Sequence, residues 1–355
     1  MTVEPEGRQA QRFAWLDLLR FLCAMAVVLF HYGYVAPLDL SGGLADYVVA
    51  PTITIYGRLG VPVFFMVSGF VIAISAEGRT WRDFLWARMV RLYPAYWLAV
   101  PATALVLAMT ASPRAPGLGQ TLVNLTMLQA FVGVPHVDEV YHTLAVELRF
   151  YLLVALLVMA RVRVTSPAVL IGWIITSAAA PWLPGIMGKL LLTNFAPYFL
   201  TGMTIRAMLR PQGRLLNAAL LVVLLAMEAW MLGVGGAARP GPYDPAVQFA
   251  IVVAGTVLIL VCAFAPNPRR AAPLAALGAM TYPLYLFHSE IGMALMRVAA
   301  PWMPRATGIW PMVGAMLLLA WLVSRYPEPA IRHRLQALPR RRSGARHGLE
   351  PAGRL

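Results

Sequence analysis

The stretch from Trp15 to Val35 is apolar enough and long enough to cross a bilayer as a helix, yet it carries Asp17, Arg20 and His31. At 1.5 Å and 100° per residue, the eleven steps from Arg20 to His31 amount to about 16 Å of rise and three turns plus roughly 20°. Both side chains therefore share one face. Asp17 lies three residues before Arg20, joins the same stripe and can partly neutralise the guanidinium. Charged groups at membrane depth are costly unless they face protein or a water-filled cavity. The helix is expected to turn this polar edge into a bundle.

Composition extends that reading to the whole chain. With 60% hydrophobic and 12% charged residues and a mean hydropathy of +0.69, the 355 residues hold too little polar surface to cover a soluble globule. The expected fold class is an all-α integral membrane protein. A net charge of +14 would suggest a nucleic-acid partner in a soluble domain, but here the arginines lie between apolar segments, where they orient helices. No nucleic-acid partner is expected. Cys23 and Cys262 fall within apolar runs without CxxC spacing and read as small buried apolar residues, so neither a disulfide nor a metal site is expected. The first apolar run lacks a convincing cleavage site and is expected to remain as an anchor.

Apolar runs place further spans at about 58–76, 92–110, 142–160, 167–183, 190–209, 215–233, 246–265, 274–299 and 308–325, about ten in all. Gly57, Gly60, Pro62 and Gly69 predict a kinked or broken second span. Ser68-Gly69 there reads either as the wall of a cavity or as a close helix contact. Residues 77–91 read as a basic interfacial segment and 120–134 as a partial or surface helix. Alternation of the 29 Lys and Arg puts most of them on the side of the N-terminus, so both termini are placed in the cytoplasm. The membrane domain is assigned to 1–326, and 327–355 to a basic tail that is disordered or lies on the surface.

Four groups within this frame can carry chemistry. His31, among Val27, Val28, Leu29 and Phe30, would be a neutral imidazole able to accept a proton from an alcohol. A hydrogen bond between helices is the plainer explanation of such a residue; the Arg20 spacing favours function. Glu147 enters the span from 142 with Arg149 nearby, and either orients a histidine, binds a substrate hydroxyl, or forms a structural pair with an arginine. His288, near Glu290, is a second intramembrane imidazole for which helix packing is the stronger reading. Arg88 and Arg91, three residues apart, can fork onto phosphate oxygens of a ligand or of anionic membrane lipids.

Arg20-x10-His31, Phe64-Phe65-Met66-Val67-Ser68-Gly69-Phe70, Arg88-Met-Val-Arg91-Leu-Tyr-Pro, Thr143-Leu-Ala-Val-Glu147 followed by Phe150-Tyr151, and Tyr282-Pro-Leu-Tyr285-Leu-Phe-His288 occur in that order. Together they resemble the acyltransferase-3 superfamily of bacterial integral-membrane O-acyltransferases, over about residues 12–327. The resemblance implies that an acyl group, acetyl from acetyl-CoA foremost, moves to a hydroxyl of an exopolysaccharide, lipopolysaccharide or other glycan or glycolipid at the bacterial cytoplasmic membrane. It further implies that His31 is catalytic with Arg20 as its partner, that Glu147 is essential, and that Arg88 and Arg91 hold the phosphates of acyl-CoA. Asp17, Ser68 and His288 are expected to support the site. His142 stands where the family usually has Trp. Two rivals remain at this point: a macrolide-type acceptor, and a proton-coupled transporter, which would show inverted repeats that the sequence lacks.

The orientation has a direct test. A cysteine replacing Asp46 should react with a membrane-impermeant maleimide added from outside the cell, and labelling only from the cytoplasmic side would reverse the assignment.

Overall fold

With no water in a bilayer core to bind exposed N–H and C=O groups, an apolar chain must pair its backbone within itself. The computed structural model describes residues 13–39, 51–234, 243–302 and 308–338, and among these the regular structure is entirely helical. α1 (Ala14–Val35) is α-helical to Phe30 and then makes a π-helical turn over His31–Val35. α2 (Pro51–Ala76) contains a 3₁₀ stretch, Ile55–Leu59, ahead of Gly60, which is the irregularity its glycines and proline predict. α3 (Trp81–Met109) starts at Thr80, whose hydroxyl accepts the Asp83 N–H as an N-cap. α4 (Leu118–Asn124) is a short helix in the stretch expected to be partial. α5 (Tyr141–Met159), α6 (Pro167–Ala178), α7 (Gly185–Leu190), α8 (Ala196–Met208), α9 (Arg214–Leu232) and α10 (Pro245–Phe264) follow. α11 (Ala272–Phe287), α12 (Glu290–Ala299), α13 (Trp310–Arg325) and α14 (Pro327–Gln336) complete the described chain.

Six of these, α1, α2, α3, α5, α9 and α10, are long and apolar enough to cross a membrane. The protein is a multi-pass membrane protein. The remaining expected spans correspond to shorter helices, with 12 residues in α6, 13 in α8 and 16 each in α11 and α13. Two expectations are corrected. The single span over 274–299 is interrupted at His288-Ser289, so α11 and α12 are separate helices. Residues 327–336, read as the start of a tail that is disordered or lies on the surface, form α14, which packs on α3 and α13; the rest of that tail beyond 338 lies outside the described residues, as does Asp46.

α8 is the most enclosed helix, with every residue from Ala196 to Ile205 buried. It crosses α2 where both helices lack a side chain: a Cβ on Gly69 would lie 2.0 Å from the Phe199 carbonyl oxygen, and one on Gly202 1.8 Å from that of Met66. Gly69 therefore serves the close helix contact, while its neighbour Ser68 faces a cavity. α11 packs along α1 and against α13. α9 and α10, at the periphery, expose Val222, Trp230, Val257 and Leu258, the apolar outer surface that a lipid-facing helix presents.

The α2–α8 crossing should not tolerate a side chain. Gly202→Val is expected to abolish recovery of monodisperse protein in detergent, because backbone, not a flexible side chain, occupies the space and overpacking typically costs about 1–3 kcal/mol or more. Gly119→Ala, which meets nothing within 4 Å, should express and melt like the wild type.

Candidate active site

The polar residues singled out on the sequence gather in two places. The first is a cavity of about 400 Å³ between α1, α2, α3, α5, α11 and α14. Arg20 reaches it from α1, Ser68 from α2, Arg88 and Arg91 from α3, and Glu147 from α5. Helical spacing explains much of this convergence, since Arg88 and Arg91 lie three residues apart on one side of α3 and Glu147 and Tyr151 lie four apart on α5. Ser68 Oγ and the Tyr151 hydroxyl both donate to Glu147 Oε1, each at 2.5 Å, and pin the carboxylate at the cavity wall. Arg149 does not pair with it. Its guanidinium turns the other way and donates to the carbonyls of Ala145 at 3.0 Å and Lys189 at 3.1 Å.

The cavity carries an excess of cations. Arg20 lies within electrostatic reach of Arg91, Asp17 and Glu147. Arg88 donates to Ser75 Oγ at 2.9 Å, and its Nε is buried without an acceptor among the described residues. Asp17 does not line the cavity; it lies between α1 and α11, where a Cβ on Gly278 would come within 2.6 Å of its side chain, and its charge acts on Arg20 and Arg91. His142 is exposed at the start of α5, its Nδ1 2.6 Å from the Glu139 carbonyl.

The second place holds both histidines. His31 opens the π turn of α1 and His288 follows the last residue of α11, and their rings meet edge to face with centroids 4.8 Å apart. The hydrogen-bond partners assign the tautomers. His288 Nδ1 lies 2.9 Å from the Tyr285 carbonyl and 3.1 Å from that of Leu284, so it carries the proton and leaves Nε2 as an acceptor. That Nε2 faces His31 Nδ1 at 3.2 Å, and His31 Nδ1 also lies 2.9 Å from the Val27 carbonyl. His31 Nδ1 therefore bears its proton and the lone pair is on Nε2. Tyr285 connects the two places: it lines the cavity, its hydroxyl bonds Thr143 Oγ1 at 2.8 Å, and its ring lies 5.7 Å from that of His288.

The helix break that positions His288 is held from several sides. The Tyr32 hydroxyl donates to the His288 carbonyl at 2.6 Å. Asp138 accepts the Glu290 N–H on Oδ2 at 2.9 Å and the Val140 N–H on Oδ1 at 3.1 Å, so one carboxyl caps the restart of the chain at α12 and steadies the entry to α5. Arg114 pairs with Glu290 at 3.0 Å. Burial pushes the Asp138 carboxyl up to about 7, outweighing the two backbone donors that favour the anion.

Sequence reasoning did not find Tyr32, Ser75, Tyr151, Tyr285, Arg332 or Gln336 as site residues. Tyr151 and Tyr285 carried a signal, their spacings of four residues from Glu147 and three from His288. The others are brought in by tertiary packing.

The described residues thus form a helical bundle with a cationic cavity, a hydrogen-bonded carboxylate and two imidazoles in contact. Comparison with known proteins gives the class: residues 13–325 match the acyltransferase-3 family, described as an acyltransferase domain, and the chain belongs to that family. It is a membrane acyltransferase. It is also similar to Nodulation protein 10 of Rhizobium leguminosarum bv. viciae, with 24% identity over 336 residues covering 82% of this chain and 87% of that protein. No solved structure matches it.

Asp138 makes the helix break sensitive to pH. A carboxyl raised from 3.8 to about 7 contributes stability that is full below its unfolded value and is lost as pH rises through about 7. The melting temperature of detergent-solubilised protein should therefore fall from about pH 5 to pH 7 more steeply than that of Asp138→Asn, which keeps an acceptor oxygen but cannot ionise. The difference in slope corresponds to about 1.4 kcal/mol per pH unit. Parallel curves would mean that Asp138 is ionised across the range.

Proposed function

We propose that this acyltransferase moves a short acyl group, acetyl foremost, from acyl-CoA to a hydroxyl of a cell-surface glycan or glycolipid, with His31 as general base. The observation that carries the reading is the His31–His288 contact, which fixes one tautomer and leaves His31 Nε2 with no partner among the described residues. In the reaction, Nε2 takes the proton of the acceptor hydroxyl while the oxygen attacks the thioester carbonyl. The new C–O bond gives a tetrahedral adduct. Cleavage of the C–S bond then releases the thiolate of CoA, which recovers the proton from His31 and leaves the ester and a neutral imidazole. In between, the imidazolium keeps its Nδ1–H on the Val27 carbonyl and on His288 Nε2, so His288 acts as a positioning residue.

The cavity supports the same donor. A molecule with phosphates at one end, a thioester at the other and a long arm between can seat its anionic end on Arg88 and Arg91 and extend past Tyr285 toward the histidines. Arg20 and Glu147, on the wall between, are suited to hydrogen-bond its polar arm or the acceptor. The arginine excess orients the cavity to the cytoplasm, where CoA thioesters are made, and leaves the acceptor to approach the imidazole pair from the far side of the bacterial cytoplasmic membrane.

Transfer of labelled acetyl to acceptor extracted from the native envelope tests this. His31→Gln keeps a hydrogen-bonding group but cannot act as a base, so turnover should fall by about 10²–10⁴-fold with the melting temperature unchanged. His288→Leu, which removes the acceptor for His31 Nδ1–H, should lower kcat more than KM, and His288→Gln, which restores an oxygen acceptor, should recover part of the loss. Near-normal transfer by His31→Gln would make the pair structural and end the general-base assignment.

A further inference from the structure

The match to the family ends at residue 325, and α14 begins at Pro327, after it. This helix nevertheless closes one side of the cavity. Glu328, Arg332 and Gln336 recur every four residues and so lie along one stripe of α14, which packs on α3, the helix that carries Arg88 and Arg91. Arg332 and Gln336 line the cavity beside those two arginines. Glu328 is buried, its side chain 3% exposed, and holds Arg332 in an ion pair along the helix. Arg332 itself is 31% exposed.

Charge and hydrogen bonding leave this rim incomplete. Arg88, Arg91 and Arg332 come together there, with Arg91 in electrostatic reach of both Arg332 and Glu328. Glu328 is a single carboxylate among three guanidiniums. Glu147 is engaged by two neutral hydroxyls. Both Arg88 Nε and Arg332 Nε are buried and lack an acceptor among the described residues, while Glu328 Oε2, buried beside them, lacks a donor. A ligand that brings several anionic oxygens at once would satisfy guanidinium N–H groups from both packed helices.

We infer that α14 is part of the donor site and that Arg332 binds a phosphate of the acyl-CoA together with Arg88 and Arg91. The inference rests on the donor reading of the cavity. Fixed by Glu328, Arg332 presents its remaining N–H groups to the ligand without first having to be ordered, and Gln336, one turn on, adds an amide at the rim. The helix thus does for the nucleotide end of the donor what α3 does from the membrane domain.

Binding of CoA to the full-length protein, by calorimetry in nanodiscs of phosphatidylcholine, tests this. Arg332→Ala should weaken CoA binding by roughly tenfold, and Arg332→Lys, which keeps the charge, should restore most of it. Because loss of Arg332 leaves Glu328 buried without its partner, the double variant Arg332→Ala/Glu328→Gln, which removes that charge as well, should show the same loss while melting like the wild type. Unchanged CoA affinity in both variants would overturn the inference, as would a loss that appears only in nanodiscs containing anionic phosphatidylglycerol, since Arg332 would then be a lipid contact. Arg88→Glu/Arg91→Glu separates the two claims. If that variant loses CoA binding and Arg332→Ala does not, α14 is excluded and the donor site stands; if it binds CoA normally, the donor reading of α3 fails whatever Arg332 does.

Discussion

The structure depends on the cost of placing charge inside a membrane. Arg20 sits a turn and a half into α1, and its guanidinium cannot face lipid without a large penalty, so the polar stripe of α1 has to be turned inward. That single requirement sets which helices surround α1. α11 and α2 cover it, and the space left around the arginine becomes a cavity into which α3 and α5 direct their own polar residues. Glu147 is accommodated by the same logic. It is held by Ser68 and Tyr151, so a carboxylate at depth is satisfied by neutral donors and remains available at the cavity wall.

The imidazole pair is built from irregular backbone. His31 stands at the first residue of a π turn and His288 at the end of a helix that stops and restarts two residues later. The break frees backbone groups that a lipid environment could not satisfy, and protein satisfies them here: Tyr32 donates to the His288 carbonyl, and Asp138 accepts the Glu290 N–H. π turns inside helices recur at functional positions because they shift a side chain out of the regular helical register. In this protein the shift and the break together bring two rings from helices far apart in sequence into contact.

The arginine cluster and the imidazole pair are thereby placed at different depths. The arginines lie toward the start of α1 and α3, whereas the histidines lie beyond the end of the regular part of α1, about 16 Å further along by helical rise. A small anion at the arginines would not reach the imidazoles. A substrate that joins phosphates to a reactive carbonyl through an extended arm would, and this is why the proposed donor fits the arrangement better than a transported ion. Tyr285, which lines the cavity and lies beside His288 with its ring tilted against the imidazole, stands between the two.

Hydropathy and arginine spacing were sufficient to read from the sequence a helical membrane protein with a polar edge on its first helix, because both depend only on composition and on the 3.6-residue period. The same period placed Arg20 and His31 on one face and Arg88 beside Arg91. The irregularity of α2 was legible from Gly57, Gly60 and Pro62. Other features were not, since they arise from contacts between helices. Nothing local to Leu286-Phe287-His288-Ser289 announces that the span breaks there; the break exists because Tyr32 and Asp138 supply partners from distant elements. Arg149 was the nearest cation to Glu147 in sequence, but the fold turns it to the Ala145 and Lys189 carbonyls and gives the carboxylate to Ser68 instead. Residues 327–336 have too little apolar periodicity to be recognised as structured, and they become a helix because α3 and α13 offer a surface on which Glu328 can be buried with Arg332. The sequence by itself determined which residues are too costly to leave in lipid, whereas only the tertiary structure decided which partner each of them met, since that pairing depends on helix contacts made across the whole chain.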